Sequence, residues 1–353
     1  MDQIMKRLLT NELYTGDLKK VLSAFDFGPL RDASVLITGG LGLIGSAVAD
    51  LLILYNKCCG AGIRLLIACR DKDRFFERYG GYPCVEYLRY DATEPISFDV
   101  DADYILHGAG TASPELYVSK PVETMLSNFD GIRNLLEYAG RHRTKRVLYI
   151  SSSEVYGTKD TAAAFEEGRF GSVNINSVRA SYAEAKRASE VLCKSYSSEY
   201  AIDTVIVRPG HIYGPTASPK DRRISSEFAY LAAEGKALKM KSPGLQKRSY
   251  CYAPDCAAAI LIALLNGETG ESYNIGHDEV TSIREMARLL AEAGNVKLEV
   301  SEPTREEQER FNPMDNSSLN NRKIKAIGYR DTFSVREGLT HTVRILKELN
   351  GGG

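Results

Sequence analysis

Two hydrophobic patterns alternate along the first two-thirds of the chain. Short continuous apolar runs that end in glycine or polar residues are typical of buried strands, and apolar residues spaced three and four apart are typical of helices. The predicted strands are SVLITGG (34–40), RLLIACR (64–70), CVEYLRYD (84–91), ADYILHGA (102–109), RVLYISSS (146–153) and DTVIVRPG (203–210). Helical patterns between them include residues 45–56, 121–142 and 181–200. This alternation predicts an α/β fold with a parallel sheet covered on both faces.

The pattern changes after about residue 215, where helices alternate with short strands such as ESYNIG (271–276). We therefore predict three regions along the chain. Residues 1–32 form an N-terminal helical extension, for which a docking or dimer helix is the simplest interpretation, and residues 33–215 form the large α/β domain. Residues 216–350 form most of a smaller α/β region, interleaved with the first, with a cleft between the two.

Composition narrows the class of protein. The 353 residues are 43% hydrophobic and 26% charged, which is ordinary for a globular enzyme. A net charge of -1 gives no electrostatic reason to expect nucleic acid or a membrane surface as partner. Acidic residues within the N-terminus argue against a signal peptide. Seven cysteines without metal-ligand spacing indicate reduced thiols, so we expect a cytoplasmic protein with no metal site.

The first strand leads into a glycine-rich turn. Gly39, Gly42 and Gly45 are three residues apart, between a predicted strand and a predicted helix. A tight turn there, and close approach of a dinucleotide pyrophosphate to the helix N-terminus at Leu43 and Ile44, both exclude side chains at the glycines. The flanking strand and helix supply the context that a glycine motif alone lacks. We predict a dinucleotide-binding site at this turn.

The ends of the next strands bear on which dinucleotide binds. NAD sites usually place an acid at the end of the second strand, whereas an arginine there accommodates the 2′-phosphate of NADP. This chain has both, since Arg70 is followed by Asp71, so NAD and NADP both stay open. Further candidate cofactor contacts follow the third and fourth strands: Asp91 and Ala92 at the adenine, and Gly108, Ala109 and Gly110 along the cofactor.

Tyr182 and Lys186 lie four residues apart and so share one face of a predicted helix. A free tyrosine has a pKa near 10, and a nearby cation lowers that pKa, as a general base requires. Such a pair is common by chance. Together with the glycine turn and a serine-ended fifth strand, however, it indicates an active site.

With these features the sequence resembles the extended short-chain dehydrogenase/reductase family, in its NAD-dependent epimerase/dehydratase group. The resemblance runs from about residue 33 to the end and includes RPGHIYGP (208–215), RSYCY (248–252) and LNNRKIKAIGY (319–329). It implies a Rossmann fold, Tyr182 as base, and Lys186 holding the nicotinamide ribose. It also implies Ser152 as the substrate-hydroxyl contact and Arg208 among the cofactor-binding positions.

Within this family, Ser152-Ser153-Glu154 resembles the signature of nucleotide-sugar 4,6-dehydratases and UDP-glucuronate decarboxylases, and plain 4-epimerases usually lack the glutamate. Glu154 is therefore the candidate for chemistry at C5. Further matches favour the decarboxylase branch. The substrate-binding positions that the resemblance implies are Ser113, Tyr117, Ser153, Asn174, Arg179, His211, Arg223 at the diphosphate, and Arg248 at the sugar carboxylate.

The resemblance implies a redox-neutral lyase of nucleotide-sugar metabolism and polysaccharide biosynthesis. Tyr182 would take the C4 hydroxyl proton during C4 oxidation, and the 4-ketone would then promote loss of CO₂ from C5. The alternatives are a 4,6-dehydratase, in which Glu154 removes the C5 proton, a 4-epimerase, or an NADPH-dependent reductase. The alternative outside enzymes is a cofactor-binding regulatory protein, since fold does not fix function.

Three departures from the family pattern leave the nucleotide and the sugar open. His211 and Glu227 stand where asparagine is usual, and Lys241 stands where an aromatic residue often stacks on the base. The family resemblance also implies a homodimer through the helices at 120–140 and 182–200.

Overall fold

The computed structural model describes residues 7–159, 161–301 and 315–351. Its centre is a seven-stranded sheet in the order β10-β6-β5-β4-β1-β2-β3, with every pair parallel. The strands are β1 Ser34–Thr38, β2 Arg64–Cys69, β3 Val85–Arg89, β4 Tyr104–His107, β5 Arg146–Ile150, β6 Thr204–Pro209 and β10 Ser272–Ile275. The predicted Rossmann α/β class is confirmed. The seventh strand, β10, comes from the C-terminal region, which is therefore interleaved with the large domain.

Both faces of this sheet are buried. On β1, Val35 and Ile37 belong to one hydrophobic cluster, whereas Leu36 between them belongs to a second cluster on the opposite face. The helices are α1 Glu12–Ala24, α2 Leu43–Cys59, α3 Lys72–Tyr79, α4 Pro114–Ser119, α5 Pro121–Arg141, α6 Ala180–Tyr200, α7 Ile224–Ala233, α8 Ala253–Asn266, α9 Ile283–Gly294, α10 Arg322–Ala326 and α11 Val335–Gly351. Helices α2 and α8 supply the first cluster, and α5 supplies much of the second. Among the described residues, no helix combines the length and apolarity that a membrane crossing requires.

The C-terminal region adds two small sheets. One has the order β11-β9-β7, from Val280–Ser282, Lys247–Tyr252 and His211–Tyr213. The other pairs β12 (Leu298–Val300) with β8 (Leu238–Met240). Side chains of β9 and α9 join the same hydrophobic cluster as those of β1 and α2. The two regions thus share one core, and the end of β7 and β9 is held close to the carboxyl edge of the large sheet.

The N-terminal extension packs on its own chain. Tyr14, Leu18 and Val21 on one face of α1 are fully buried in the first hydrophobic cluster. The Tyr14 hydroxyl donates to Asp50 Oδ2 (2.9 Å), which also accepts from Arg78 Nη2 (2.7 Å). The interpretation as a docking or dimer helix is corrected for this face, since its apolar stripe covers the chain's own core. Residues 1–6 of the predicted extension lie outside the described residues.

Candidate active site

The glycine turn between β1 and α2 leaves no room for side chains. Gly39 has φ +73°, and a Cβ there would lie 2.7 Å from the Gly108 carbonyl; a Cβ at Gly45 would lie 2.4 Å from the Gly39 oxygen. Gly42 is the N-cap of α2 and brings no capping side chain. The first N–H groups of a helix have no acceptor within it, so those at the start of α2 can meet a phosphate. The turn therefore fits a dinucleotide pyrophosphate.

The end of β4 lies against this turn, as its glycines predict. Gly108 N donates to Thr38 O (3.2 Å), and Ala109 N donates to Thr38 Oγ1 (3.2 Å). Gly110 faces Asn128, whose Oδ1 is buried without a hydrogen-bond partner among the described residues. Asn128 is held by amide donation to Thr111 O and Thr124 O (3.2 and 2.8 Å). Sequence reasoning missed Asn128, because a polar residue inside an amphipathic helix gives no local signal.

Two oppositely charged residues meet at the ends of β2 and β3. Arg70 Nη1 lies 3.7 Å from Asp91 Oδ2, and the Arg70 side chain is 79% exposed. Asp91 also accepts hydrogen bonds from Thr93; burial raises its pKa, but those bonds and Arg70 outweigh burial and lower it. Asp71 instead caps α3 by accepting from Arg74 N (3.0 Å). Ala92 is buried next to Asp91. The structure therefore brings together Arg70 and Asp91.

Tyr182 and Lys186 are both buried on α6, with Lys186 Nζ 5.9 Å from the centre of the Tyr182 ring. Lys186 Nζ donates to Ile150 O (2.8 Å), and burial lowers the pKa of Lys186 to about 7. Burial raises the pKa of Tyr182, while hydrogen bonding with Ser152 and Tyr117 acts in the opposite direction. Desolvation outweighs the lowering contributions, so the pKa of Tyr182 lies above its ordinary value. The effect of Lys186 on that pKa stays a prediction.

The serine cluster follows β5 and forms a short 3₁₀ helix, Ser153–Tyr156. Ser152 is its N-cap and accepts from Glu154 N (3.2 Å), which fixes the turn next to Tyr182. The Glu154 carboxylate lies 3.6 Å from Arg179 Nη2, and its charge raises the pKa of Tyr182. Ser153 is half-buried on the same turn. Ser152, Glu154 and Tyr182 thus form one cluster with Arg179 at its edge.

Three side chains from β7, from the start of α7 and from β9 adjoin this cluster. Burial, followed by the charges of Arg248 and Arg223, lowers the pKa of His211 to about 3, so its imidazole is neutral at pH 7. His211 Nδ1 is buried without a partner among the described residues. Arg248 is buried and donates to Lys247 O (2.9 Å). Burial lowers the pKa of Arg248, and the negative charge of Glu154 acts in the opposite direction. Arg223, bonded to Asp221, also lowers the pKa of Tyr182.

The segment that carries Ser113 and Tyr117 forms the short helix α4, Pro114–Ser119. Ser113 is the N-cap of α4, and the backbone N–H of Tyr117 donates to Ser113 O (3.2 Å). Proline at the first helical position favours this start. The helix turns Tyr117 inward, where its ring stacks on that of Tyr182.

The other predicted residues have surroundings of their own. The Arg208 guanidinium pairs with Glu190 (2.6 Å) and donates to Tyr156 Oη (3.0 Å), so its donors are taken up within the protein. Asn174 is exposed in a turn before α6. Glu227 is half-buried on α7, and Lys241 is exposed. The cofactor role of Arg208 and the substrate role of Asn174 stay predictions.

Comparison with known proteins agrees with this geometry. A model of the family described as NAD dependent epimerase/dehydratase matches residues 35–276. UDP-glucuronic acid decarboxylase 6 of Arabidopsis thaliana is 32% identical over 324 residues, covering 88% of this chain and 90% of the plant protein. Among solved structures, an epimerase of Methanothermobacter thermautotrophicus matches with TM-score 0.79 at 22% identity, covering 96% of this chain and 98% of its own. The dTDP-glucose 4,6-dehydratase of Streptomyces venezuelae, solved with NAD bound, matches with TM-score 0.76 at 23% identity, covering 90% of this chain and 98% of its own. At these identities the two solved structures establish the fold.

Proposed function

The chain belongs to the NAD dependent epimerase/dehydratase family, and on that premise we propose that it is an NAD-dependent decarboxylase of a UDP-glucuronate-like nucleotide sugar, acting through a C4-keto intermediate. The observation that carries this proposal is the burial of the Arg248 guanidinium with few hydrogen-bond partners. The guanidinium is buried beside Glu154 and His211, yet among the described residues it donates a single hydrogen bond, to Lys247 O. A buried arginine with spare donors is suited to bidentate recognition of a carboxylate.

We assign the cofactor to the glycine turn. The start of α2 at Gly42, Leu43 and Ile44 would hold the pyrophosphate, and Asp91 with Ala92 would meet the adenine end. Lys186, whose ammonium lies beside Tyr182, would meet the nicotinamide ribose. When bound, the nicotinamide would supply reversible hydride acceptance at the sugar C4.

The chain's own residues would handle protons and orientation. Ser152 would hold the C4 hydroxyl, and Tyr182 would take its proton, as both face one another at the end of β5. Arg248 would orient the C5 carboxylate. With a ketone at C4 that carboxylate belongs to a β-keto acid, so the C5–CO₂ bond breaks and its electrons pass to the carbonyl. We assign to Glu154 the relay of the proton that C5 then requires, taken up from solvent, to which its side chain is 41% exposed. Return of the hydride to C4 and of the Tyr182 proton to the C4 oxygen would close the redox-neutral cycle.

A second candidate is dehydration between C5 and C6. Glu154 favours it, because a carboxylate beside Tyr182 could equally remove a C5 proton made acidic by the ketone.

We also propose a homodimer through α5 and α6. Large apolar side chains on these helices are exposed in the single chain: Val122, Met125, Leu126, Val191 and Tyr200. Such residues are typical of a covered interface.

The test is product analysis of the purified protein with UDP-, dTDP-, GDP- and CDP-sugars, including UDP-glucuronate, by mass spectrometry. Loss of CO₂ from UDP-glucuronate is expected, with no net change in nicotinamide absorbance. Loss of water from a neutral sugar would instead establish the second candidate. An unchanged mass with a new isomer, or a gain of two hydrogens, would contradict the proposal. Tyr182→Phe is the control and should give no product.

A further inference from the structure

A cavity of about 960 Å³ lies beside α6, and none of the proposed catalytic residues lines it. Its walls come from the segment 166–170, from α6 at 187–194, from the ends of β6 and β10, and from residues 320–323. The volume is within the range of small-molecule sites. The cavity is therefore a candidate for a second ligand site.

The charged side chains that line the cavity differ in how many hydrogen bonds and ion pairs they form within the protein. Each of the four glutamates that line the cavity has a partner within the protein. Three form ion pairs, Glu166 with Arg169, Glu190 with Arg208 and Glu271 with Lys323, and Glu167 accepts a hydrogen bond from Asn274 N. Lys194 and Arg322 also line the cavity, and neither side chain makes a hydrogen bond or ion pair with the described part of the chain. The charge of Lys194 also acts on Glu271 and, after the hydrogen bond from Lys323, helps to lower the pKa of that carboxyl. Five cationic side chains line the cavity against four glutamates, and this excess favours an anionic ligand.

A buried hydroxyl adds an independent sign of a ligand. Ser272, the first residue of β10, is 3% exposed and lines the cavity, and its Oγ has no hydrogen-bond partner among the described residues. Buried side-chain hydroxyls nearly always have a partner. A polar group of a ligand in the cavity would supply one.

An aromatic face completes the site. The Phe170 ring is 53% exposed, and its centre lies 5.0 Å from the Arg208 guanidinium. Arg208 is itself fixed by Glu190 and Tyr156. An exposed ring supported by a fixed cation is suited to stack a planar group.

We propose that this cavity binds a small anion with a planar ring, of the nucleoside monophosphate class. The ring would stack on Phe170, the phosphate would pair with Lys194 and Arg322, and Ser272 would hydrogen-bond the ligand. This site is independent of the proposed function. It adjoins the catalytic turn, because Arg187 Nε donates to Val155 O (2.6 Å) and Arg208 holds Tyr156.

The test measures binding of AMP and of UMP by calorimetry to full-length protein saturated with NAD, which occupies the proposed cofactor site. Wild type should bind at least one probe. Lys194→Ala/Arg322→Ala should raise its Kd about tenfold or more, as expected for two lost charge-assisted contacts. The matched control, Lys19→Ala/Arg344→Ala, removes the same charge from exposed positions of α1 and α11 and should leave the Kd unchanged.

A crystal structure with the bound probe provides the second measurement, which needs no variant. Density for the probe against Phe170 supports the site. The proposal is overturned if neither probe binds, if both double variants weaken binding equally, or if the probe occupies only the glycine turn or the Tyr182 cluster.

Discussion

The rings of Tyr117 and Tyr182 stack with their centres 4.3 Å apart and their planes 7° from parallel. They come from different helices, α4 and α6, and both are buried. The stack fixes the plane of Tyr182, and the Tyr117 hydroxyl acts to lower the Tyr182 pKa that burial raises. Tyr117 is therefore a positioning residue for the proposed base.

Tyr117→Phe should keep the stack and remove that hydroxyl. The pKa of Tyr182 then rises, so the base stays protonated to higher pH and the acidic limb of the kcat/KM profile moves to higher pH. The measurement is kcat/KM against pH for wild type and variant. Tyr138→Phe, which removes a tyrosine hydroxyl bonded to Val100, serves as control and should not move the limb. An unmoved limb in Tyr117→Phe would refute the positioning role.

Glu154→Gln should separate the two chemical steps. The carboxylate lies at Arg179 and beside Tyr182, so its loss should slow the C5 step about 10²- to 10⁴-fold while C4 oxidation persists. Single-turnover absorbance of the nicotinamide reports C4 oxidation, and mass spectrometry reports the C5 product. Glu184→Gln removes a carboxylate from α6 that pairs with Arg187 and should change neither step. If both steps survive in Glu154→Gln, the glutamate is structural.

The features that sequence predicted well are local ones. The first six strands and the helices α2, α5 and α6 follow from apolar runs and helical spacing within single segments. The glycine turn could be predicted because its steric demand lies within a few consecutive residues. Tyr182 and Lys186 share a helix face for the same reason.

What sequence could not supply depends on distant parts of the chain. The raised pKa of Tyr182 comes from burial by other elements, and the Glu190 partner of Arg208 lies on another element. Strand β10 joins the large sheet across a long intervening segment. No short-range pattern encodes these contacts.

Leu18→Ala should destabilise the whole protein, because the N-terminal helix is part of the core. Leu18 is fully buried, and such truncations cost about 2–5 kcal/mol of unfolding free energy. Urea unfolding measures the change. Lys19→Ala, at the exposed neighbouring position, should leave the midpoint unchanged. If Leu18→Ala changes the unfolding free energy as little as Lys19→Ala does, the N-terminal helix contributes little to the stability of the protein.

Gly45→Ala should impair the glycine turn, whereas Gly16→Ala should not. The added Cβ at Gly45 would meet the Gly39 oxygen at 2.4 Å, and overpacking of this kind costs about 1–3 kcal/mol. At Gly16, within α1, the Cβ meets nothing within 4 Å, so alanine should stabilise the helix by up to about 1 kcal/mol. Thermal unfolding without added cofactor and NAD titration measure both effects. Equal NAD affinity in Gly45→Ala and wild type would argue against binding at this turn.

Arg70→Ala should distinguish the two nicotinamide cofactors. Arg70 is largely exposed and lies 3.7 Å from Asp91, so its guanidinium could also pair with the 2′-phosphate of NADP. Removing it should weaken NADP binding about tenfold, the value of one charge-assisted contact, and change NAD affinity little. Fluorescence titration with each dinucleotide gives both constants. Arg89→Ala provides the matched control, because this exposed arginine at the end of β3 pairs with Glu94. If Arg70→Ala weakens NAD and NADP equally, Arg70 contributes a general charge and does not select between them.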